Sequence, residues 1–374
     1  MIIGVDARPV SYAQLTGIGV YLNNLLQAIQ ELDQENHYYL ISNKAIDFEV
    51  VNPRWKKIEG RLPQRMISTL WMQCCIPHIA SKVKLDLFWG PRHQLPLFIP
   101  KNIKTVLTIH DIVHVLFPHT MRLPTLITER LLMRHSIRRA DYVIADSIST
   151  ASGIQEHYQA KPTKISVVYP GSPAFSEQIH SPVYADEKLP PKYFLFVGTL
   201  EPRKNLKAIL GAFELLDVES EDVDLVIVGN IGWKTKEAIN LLGAHRHRAR
   251  IHLAGYVDDA RLFFIYQNAL CLLYPSLYEG FGFPILEAMN YGVPVITSNV
   301  SSMPEVAGDA ALLVDPNDEK GLSEAMKKIL VNGKMRKIMI SKGYERVKKF
   351  SWKRCAGETL DIFKKVSSKK VVVD

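Results

Sequence analysis

The sequence predicts an α/β protein of two doubly wound parallel sheets in two Rossmann-like domains. Three observations carry that expectation. The chain has 374 residues, more than one hydrophobic core comfortably holds; short apolar runs alternate with amphipathic stretches through both halves; and a Pro- and Gly-containing break separates the halves. With 47% hydrophobic and 22% charged residues and no low-complexity tract, fibrous and disordered classes are excluded.

In the first half the apolar runs are Ile2 to Val5, Tyr38 to Ile41, Leu85 to Trp89, Thr105 to Ile109, Tyr142 to Ala145 and Ile165 to Val168. Between them, Val20 to Leu32 and Pro124 to Ile137 place apolar residues at the helical repeat. Pro170 to Pro191 reads as a linker, so the domains are expected at 1–180 and 190–350. The second alternation runs through Tyr193 to Val197, Asp224 to Val228, Ile251 to Leu253, Leu270 to Tyr274, Val293 to Thr297 and Ala311 to Val314. Residues 319–366 read as consecutive helices, and the last, 352–366, is expected to pack back on the first domain.

Met1 to Asp6 has no basic stretch ahead of an apolar one, so no signal peptide is expected. No apolar run reaches the ~18 residues of a membrane span. Cys74, Cys75, Cys271 and Cys355 match neither metal-ligand nor disulfide spacing. A reducing cytoplasm fits best. The net charge of +8 invites anionic partners, but no basic stripe with interleaved aromatics appears and nucleic acid is not expected.

The strongest motif is Pro275 to Ala288, a Gly-rich loop after the apolar strand Leu270 to Tyr274, with Pro284 suited to a helix start. Open α/β sheets bind ligands at the carboxyl ends of their strands. Gly280 and Gly282 let backbone amides approach an anion or sugar, with Glu279 in the loop and Glu287 in the first helical turn. A dipole-favoured carboxylate is the plain alternative for Glu287. Val197 to Asn205 sets Arg203 and Lys204 at another strand end, where a planar fork of donors and a compact charge suit a diphosphate. Cations there oppose the helix dipole, a conflict an anion would resolve.

Thr16 to Tyr21 places Gly17 and Gly19 before a helix. Leu22 stands where a dinucleotide fingerprint needs a third glycine, which disfavours an oxidoreductase. His110 and Asp111 follow a strand, as do Arg92 and His93. A lone His at such a place is often structural. Asp222 and Asp224 have Asp-x-Asp spacing within an acidic stretch from Glu219 that reads as solvated surface, and no metal or cofactor is expected. Arg54, Trp55, Lys56, Lys57, Arg61, Arg65, Met66, Ile67, Leu70 and Trp71 combine cations with bulky apolar groups, either as a face for anionic lipid or as a helix packing inward.

Glu279 and Glu287, separated by seven residues, resemble the paired-glutamate motif of the family 4 retaining glycosyltransferases, which have the GT-B fold. The other motifs occur in the order of that family along essentially the whole chain. The resemblance implies that Glu279 contacts the transferred sugar and Glu287 the ribose hydroxyls. It assigns Arg203 and Lys204 to the donor diphosphate, and Gly17, Gly19, Gly280, Phe281 and Gly282 to donor neighbours. His110 and Asp111 would sit beside sugar and acceptor, and Arg92 and His93 would line the acceptor pocket. Many members have Arg immediately after the glycine where this chain has Thr199, so Arg203 and Lys204 would carry more of the phosphate charge.

The N-terminal motifs look most like bacterial mannosyltransferases of surface polysaccharide synthesis. That implies GDP-mannose, a lipid-linked or polysaccharide acceptor, metal-independent transfer and a cytoplasmic protein with peripheral contact to the inner membrane face. UDP-glucose or another hexosyl donor, and a non-catalytic nucleotide-sugar-binding subunit, are the alternatives.

Overall fold

The computed structural model describes residues 1–12, 15, 17–60, 68–172, 189–216 and 222–368. The chain divides into two compact units. The first comprises Met1–Leu116, Leu123–Gly171 and Phe350–Asp374, and the second comprises Phe117–Arg122 and Ser172–Lys349.

The first unit runs β1 (Ile2–Asp6), α1 (Gly17–Leu32), β2 (His37–Ser42), β3 (Trp55–Glu59), α2 (Ser68–Val83), β4 (Leu87–Gly90), β5 (Lys104–Ile109), α3 (Val113–Leu116), α4 (Leu123–Arg139), β6 (Tyr142–Ala145), α5 (Ile148–Tyr158) and β7 (Ile165–Val167). Its seven strands lie in the order β3-β2-β1-β4-β5-β6-β7, and every pairing is parallel. Strand β4 is buried along its whole length, as a sheet covered on both faces requires.

Strand β3 corrects the reading of the Arg54 to Trp71 stretch as a single surface. Trp55 opens this edge strand opposite Tyr38 and stacks on that ring at 4.3 Å between centroids. Trp71, from α2, lies so close to Gly60 that a Cβ there would come within 2.8 Å of the indole. Both tryptophans are only 3% exposed, so they belong to the core and not to a docking face. Arg61, Arg65, Met66 and Ile67 lie outside the described residues.

The second unit contains β8 (Tyr193–Val197), α6 (Leu206–Glu214), β9 (Asp224–Val228), α7 (Lys236–Gly243), β10 (Ile251–Gly255), α8 (Asp259–Asn268), β11 (Cys271–Tyr274), α9 (Phe283–Asn290), β12 (Val295–Ser298), α10 (Met303–Ala307), β13 (Leu312–Val314), α11 (Glu319–Val331) and α12 (Gly333–Val347). The strand order is β10-β9-β8-β11-β12-β13, again all parallel. Phe194 and Phe196 of β8 pack with Ile209 and Phe213 of α6 and with Leu322, Met326 and Ile329 of α11. In both sheets the chain reverses its winding direction between two adjacent strands, β1 and β4 or β8 and β11, which opens a crevice at their carboxyl ends.

The last helix, α13 (Trp352–Ser368), belongs to the first unit. Trp352 meets Tyr21 of α1 edge-on at 5.9 Å, Phe363 meets Trp89 of β4 at 5.6 Å, and Lys365 Nζ donates to the Tyr142 hydroxyl at 2.8 Å. Its strong apolar stripe explains why it packs there: Cys355, Ala356, Thr359 and Phe363 are fully buried.

Candidate active site

The crevice of the second unit is formed by the loops after β8 and β11. Pro202–Lys204 makes one 3-10 turn, closed by Asn205 in the left-handed region at φ 60°. The Asn205 side-chain amide donates to the Pro275 and Pro316 carbonyls at 3.0 and 2.7 Å, and Leu277 N–H donates to the Arg203 carbonyl at 2.9 Å. These bonds lace the two loops together and aim Arg203 and Lys204 at Glu279.

Arg203 Nη1 donates to Glu279 Oε2 at 2.6 Å and to the Tyr278 carbonyl at 2.8 Å, while Nη2 donates to Glu201 Oε1 at 2.6 Å. Lys204 Nζ donates to Glu279 Oε1 and to the Tyr274 hydroxyl, both at 2.7 Å. The Glu279 side chain is 7% exposed. Burial alone would raise its pKa, but Arg203 and then Lys204 overcome this and hold the carboxyl at about 2. Burial lowers the Lys204 pKa against the pull of Glu279.

Two cations and two carboxylates therefore balance. Within the protein, Glu279 and Glu201 face the two cations whose charge opposes the helix dipole. Glu201 and Tyr274 went unnoticed in the sequence, although both flank the motifs that carry Arg203 and Glu279.

Helix α9 begins after Gly282, whose φ of 110° is open only to glycine without strain. Phe281 is buried, edge-on to Phe283 at 5.2 Å, and Ser302 Oγ donates to the carbonyls of Glu279 and Phe281 at 3.0 and 2.7 Å. These contacts fix the loop at Gly280. Glu287 is the fifth helical residue, not part of the first turn, so the dipole reading fails for it. Its carboxyl accepts from the Tyr266 hydroxyl at 2.8 Å and is pushed up to about 7 by burial, against that hydrogen bond. The paired glutamates thus sit in opposite electrostatic environments. Buried Tyr274 feels both of them.

In the first unit His110, just after β5, is buried. Its ring partner is Asp146, at the end of β6, and not Asp111: Nδ1 lies 2.6 Å from Asp146 Oδ2 and Nε2 lies 2.8 Å from the Pro91 carbonyl. Burial opposes the charged ring, yet Asp146 above all raises the pKa, and two acceptors suit an imidazolium with two N–H donors. Asp111 Oδ1 accepts from Val113 N–H at 3.1 Å at the start of α3. His93, in the left-handed region at φ 57°, accepts from His110 N–H at 3.0 Å, and its other ring nitrogen lies 3.6 Å from Glu129. His93 is therefore a buried support for the His110 backbone. Arg92 beside it is half-buried.

Gly17 and Gly19 fall in the first turn of α1; a Cβ on Gly17 would meet open space, while one on Gly19 would come within 2.9 Å of the Pro9 carbonyl. Thr16 lies outside the described residues. Arg8 and Asp6, at the end of β1, form a buried two-point ion pair at 2.6 and 2.8 Å.

The Asp-x-Asp spacing has a structural explanation. Asp224 is buried and pairs with Arg250 at 2.9 Å and His252 at 2.5 Å, and Asp222 also meets Arg250 at 2.9 Å. Glu219, Ser220 and Glu221 lie outside the described residues. Among the described residues no group of three His, Cys, Asp or Glu side chains could hold a metal ion, and no helix is long and apolar enough to cross a membrane.

Two family descriptions match the chain in tandem: Glycosyltransferase Family 4 over residues 15–173 and Glycosyl transferases group 1 over residues 184–346. Sucrose-phosphate synthase from Thermosynechococcus elongatus superposes with a TM-score of 0.76 at 19% identity, covering 97% of this chain and 98% of that one. The chain thus has the GT-B fold and is related, over both halves, to the family 4 glycosyltransferases.

Within that class its sequence relatives include O-antigen chain mannosyltransferase B of Escherichia coli, 42% identical over 46% of this chain and 45% of the relative. Another is O-antigen chain mannosyltransferase RfbU of Salmonella typhimurium, 30% identical over 63% of each. The chain spans less than two thirds of the length of these curated relatives. It is related to the mannosyltransferases of bacterial surface polysaccharides.

Proposed function

We propose that the chain transfers mannose from GDP-mannose to a lipid-linked or polysaccharide acceptor with retention of the anomeric configuration. The observation that carries this reading is the buried Glu201-Arg203-Glu279-Lys204 cluster at the β8–β11 crevice. An entering diphosphate competes with Glu279 for Arg203 and Lys204, and the released Glu279 turns to the hydroxyls of the sugar. Glu287 meets the ribose. The sugar C1–O bond to phosphate breaks as the acceptor oxygen bonds C1 on the same face, and the acceptor proton passes to the leaving phosphate oxygen. Arg203 and Lys204 stabilise the charge that grows there, so no metal is required. The second unit binds donor and the first binds acceptor, and Asp146 and the Pro91 carbonyl hold the His110 ring in place in the first unit.

The mannosyltransferase names of the relatives favour the mannosyl donor over UDP-glucose. Thermal shift with a panel of nucleotide sugars, followed by NMR of the product linkage, tests the reading. GDP-mannose should give the largest stabilisation and an α-linked product; preference for UDP-glucose would overturn the donor, and a β-linked product would overturn retention. Binding without turnover on any acceptor would favour a nucleotide-sugar-binding subunit.

The reading also includes peripheral contact with anionic membrane through Arg54, Lys56 and Lys57, which are exposed. With Trp55 and Trp71 in the core, that contact is electrostatic and falls with salt.

A further inference from the structure

At the amino ends of β5, β6 and β7 a cavity of about 320 Å³ is lined by Lys104, Asp141, Tyr142, Lys161, Lys164 and Lys365, among others. The six residues of β5 place it ~20 Å from His110, at the opposite end of the strands. Its lysines converge from three places: the first residue of β5, the 3-10 turn Pro162–Lys164 and its approach, and the last turn of α13.

Asp141, the carboxylate in the lining, is already shared by Lys104 at 3.8 Å and Arg139 at 3.6 Å, and accepts from Thr105 N–H at 2.8 Å. Among the described residues no carboxylate lies within ion-pair distance of Lys161, Lys164 or Lys365. Lys365 instead donates to the Tyr142 hydroxyl at 2.8 Å and lies 4.6 Å over that ring, and Lys164 reaches the Ala140 carbonyl at 3.5 Å.

Lysines on a convex surface spread into water and do not oppose one another. Here α13 brings Lys365 to a concavity lined by three other lysines, an arrangement of like charges that a bound anion would stabilise. Compact ammonium charges beside a phenol suit the tetrahedral oxygens of phosphate, and the volume is within the range of small-ligand sites.

We propose that this basic cavity is a second anion site, taking the phosphate or diphosphate group of a ligand that binds apart from the donor crevice. It is built from the first unit alone, so its failure would leave the donor reading intact.

The test is calorimetric titration of inorganic pyrophosphate into the full chain, as wild type, Lys204→Ala and the triple variant Lys161→Gln, Lys164→Gln, Lys365→Gln. The three substituted side chains are exposed, and a melting curve checks that the triple variant keeps its fold. One binding event should persist in Lys204→Ala and weaken at least about tenfold in the triple variant, as expected when several charge-assisted contacts are lost. Sedimentation with phosphatidic acid vesicles identifies the source. Loss of sedimentation in the triple variant assigns a lipid phosphate, whereas loss of pyrophosphate binding with sedimentation unchanged assigns a soluble one. Pyrophosphate and vesicle binding unchanged in the triple variant would overturn the site.

Discussion

Replacing Glu279 by Gln removes one of two carboxylates that neutralise Arg203 and Lys204, while leaving the loop nearly isosteric. The folded protein holds this carboxyl at about 2, against an ordinary value of 4.5. At roughly 1.4 kcal/mol per pKa unit, that difference corresponds to about 3 kcal/mol of stability at neutral pH. For a unit of this size the loss lowers the melting temperature by roughly 6–12 °C. Because the folded pKa is depressed, the stabilisation is complete above the unfolded value and fades as pH falls through 4.5 toward 2. The gap between wild type and Glu279→Gln should therefore narrow to about half by pH 3.

Pyrophosphate supplies the decisive arm. In the variant it meets uncompensated cations, and in the wild type it must displace Glu279, so it should raise the melting temperature of the variant more. Scanning calorimetry from pH 7 to pH 3, with and without pyrophosphate, measures both effects. Equal melting of the two proteins at pH 7, or a larger pyrophosphate shift in the wild type, would refute a self-neutralised cluster.

Four further outcomes are expected. Glu287, with its carboxyl raised to about 7, contributes stability that is present below pH 4.5 and lost as pH rises through 7, so Glu287→Gln should melt above wild type at pH 8 but not at pH 4. If ionised Glu287 accepts from the ribose, calorimetry should show nucleoside diphosphate binding that tightens through pH 7 in wild type and stays flat in that variant. Asp146→Asn strands a buried imidazolium and should cost roughly 3–5 kcal/mol in urea melts, more at pH 6 than at pH 9 because the raised His110 pKa confines the stabilisation to the acid side. A chelator should leave single-turnover mannose transfer unchanged, whereas Lys204→Ala should lose about 3 kcal/mol of transition-state stabilisation. Neutralising Arg54, Lys56, Lys57 and Arg61 should abolish low-salt sedimentation with anionic vesicles, and equal sedimentation of both proteins in high salt would reduce that segment to solvated surface.

The two parallel sheets were legible because their central strands are buried on both faces and therefore read as unbroken apolar runs. Strand β3 escaped for the opposite reason. It is an edge strand whose Lys56 and Lys57 face water, leaving Trp55 as its main inward signal. Arg203, Lys204 and Glu279 were readable from residue type and from their place at strand ends. Their mutual pairing was not, because it joins residues 75 and 76 positions apart. For the same reason the partner of the His110 ring was not readable, since the strand order delivers Asp146 from 36 residues away. The contrast between Glu279 and Glu287 also lies beyond motif spacing, since it is set by which neighbours share each buried volume.

Helix α13 has a consequence for how the protein is made. The first unit opens the chain, yet Cys355, Ala356 and Phe363 fill its interior and are translated after the whole of the second sheet. During synthesis the later half can therefore close its core while the earlier half still exposes the apolar faces of α1 and β4. Until residue 363 leaves the ribosome, Trp89 and Tyr21 lack their covering, and the nascent chain is at its most vulnerable to aggregation and to chaperone capture. Maturation runs against the order of the sequence, and a stop codon shortly before Trp352 would unmake the half of the molecule that was synthesised first.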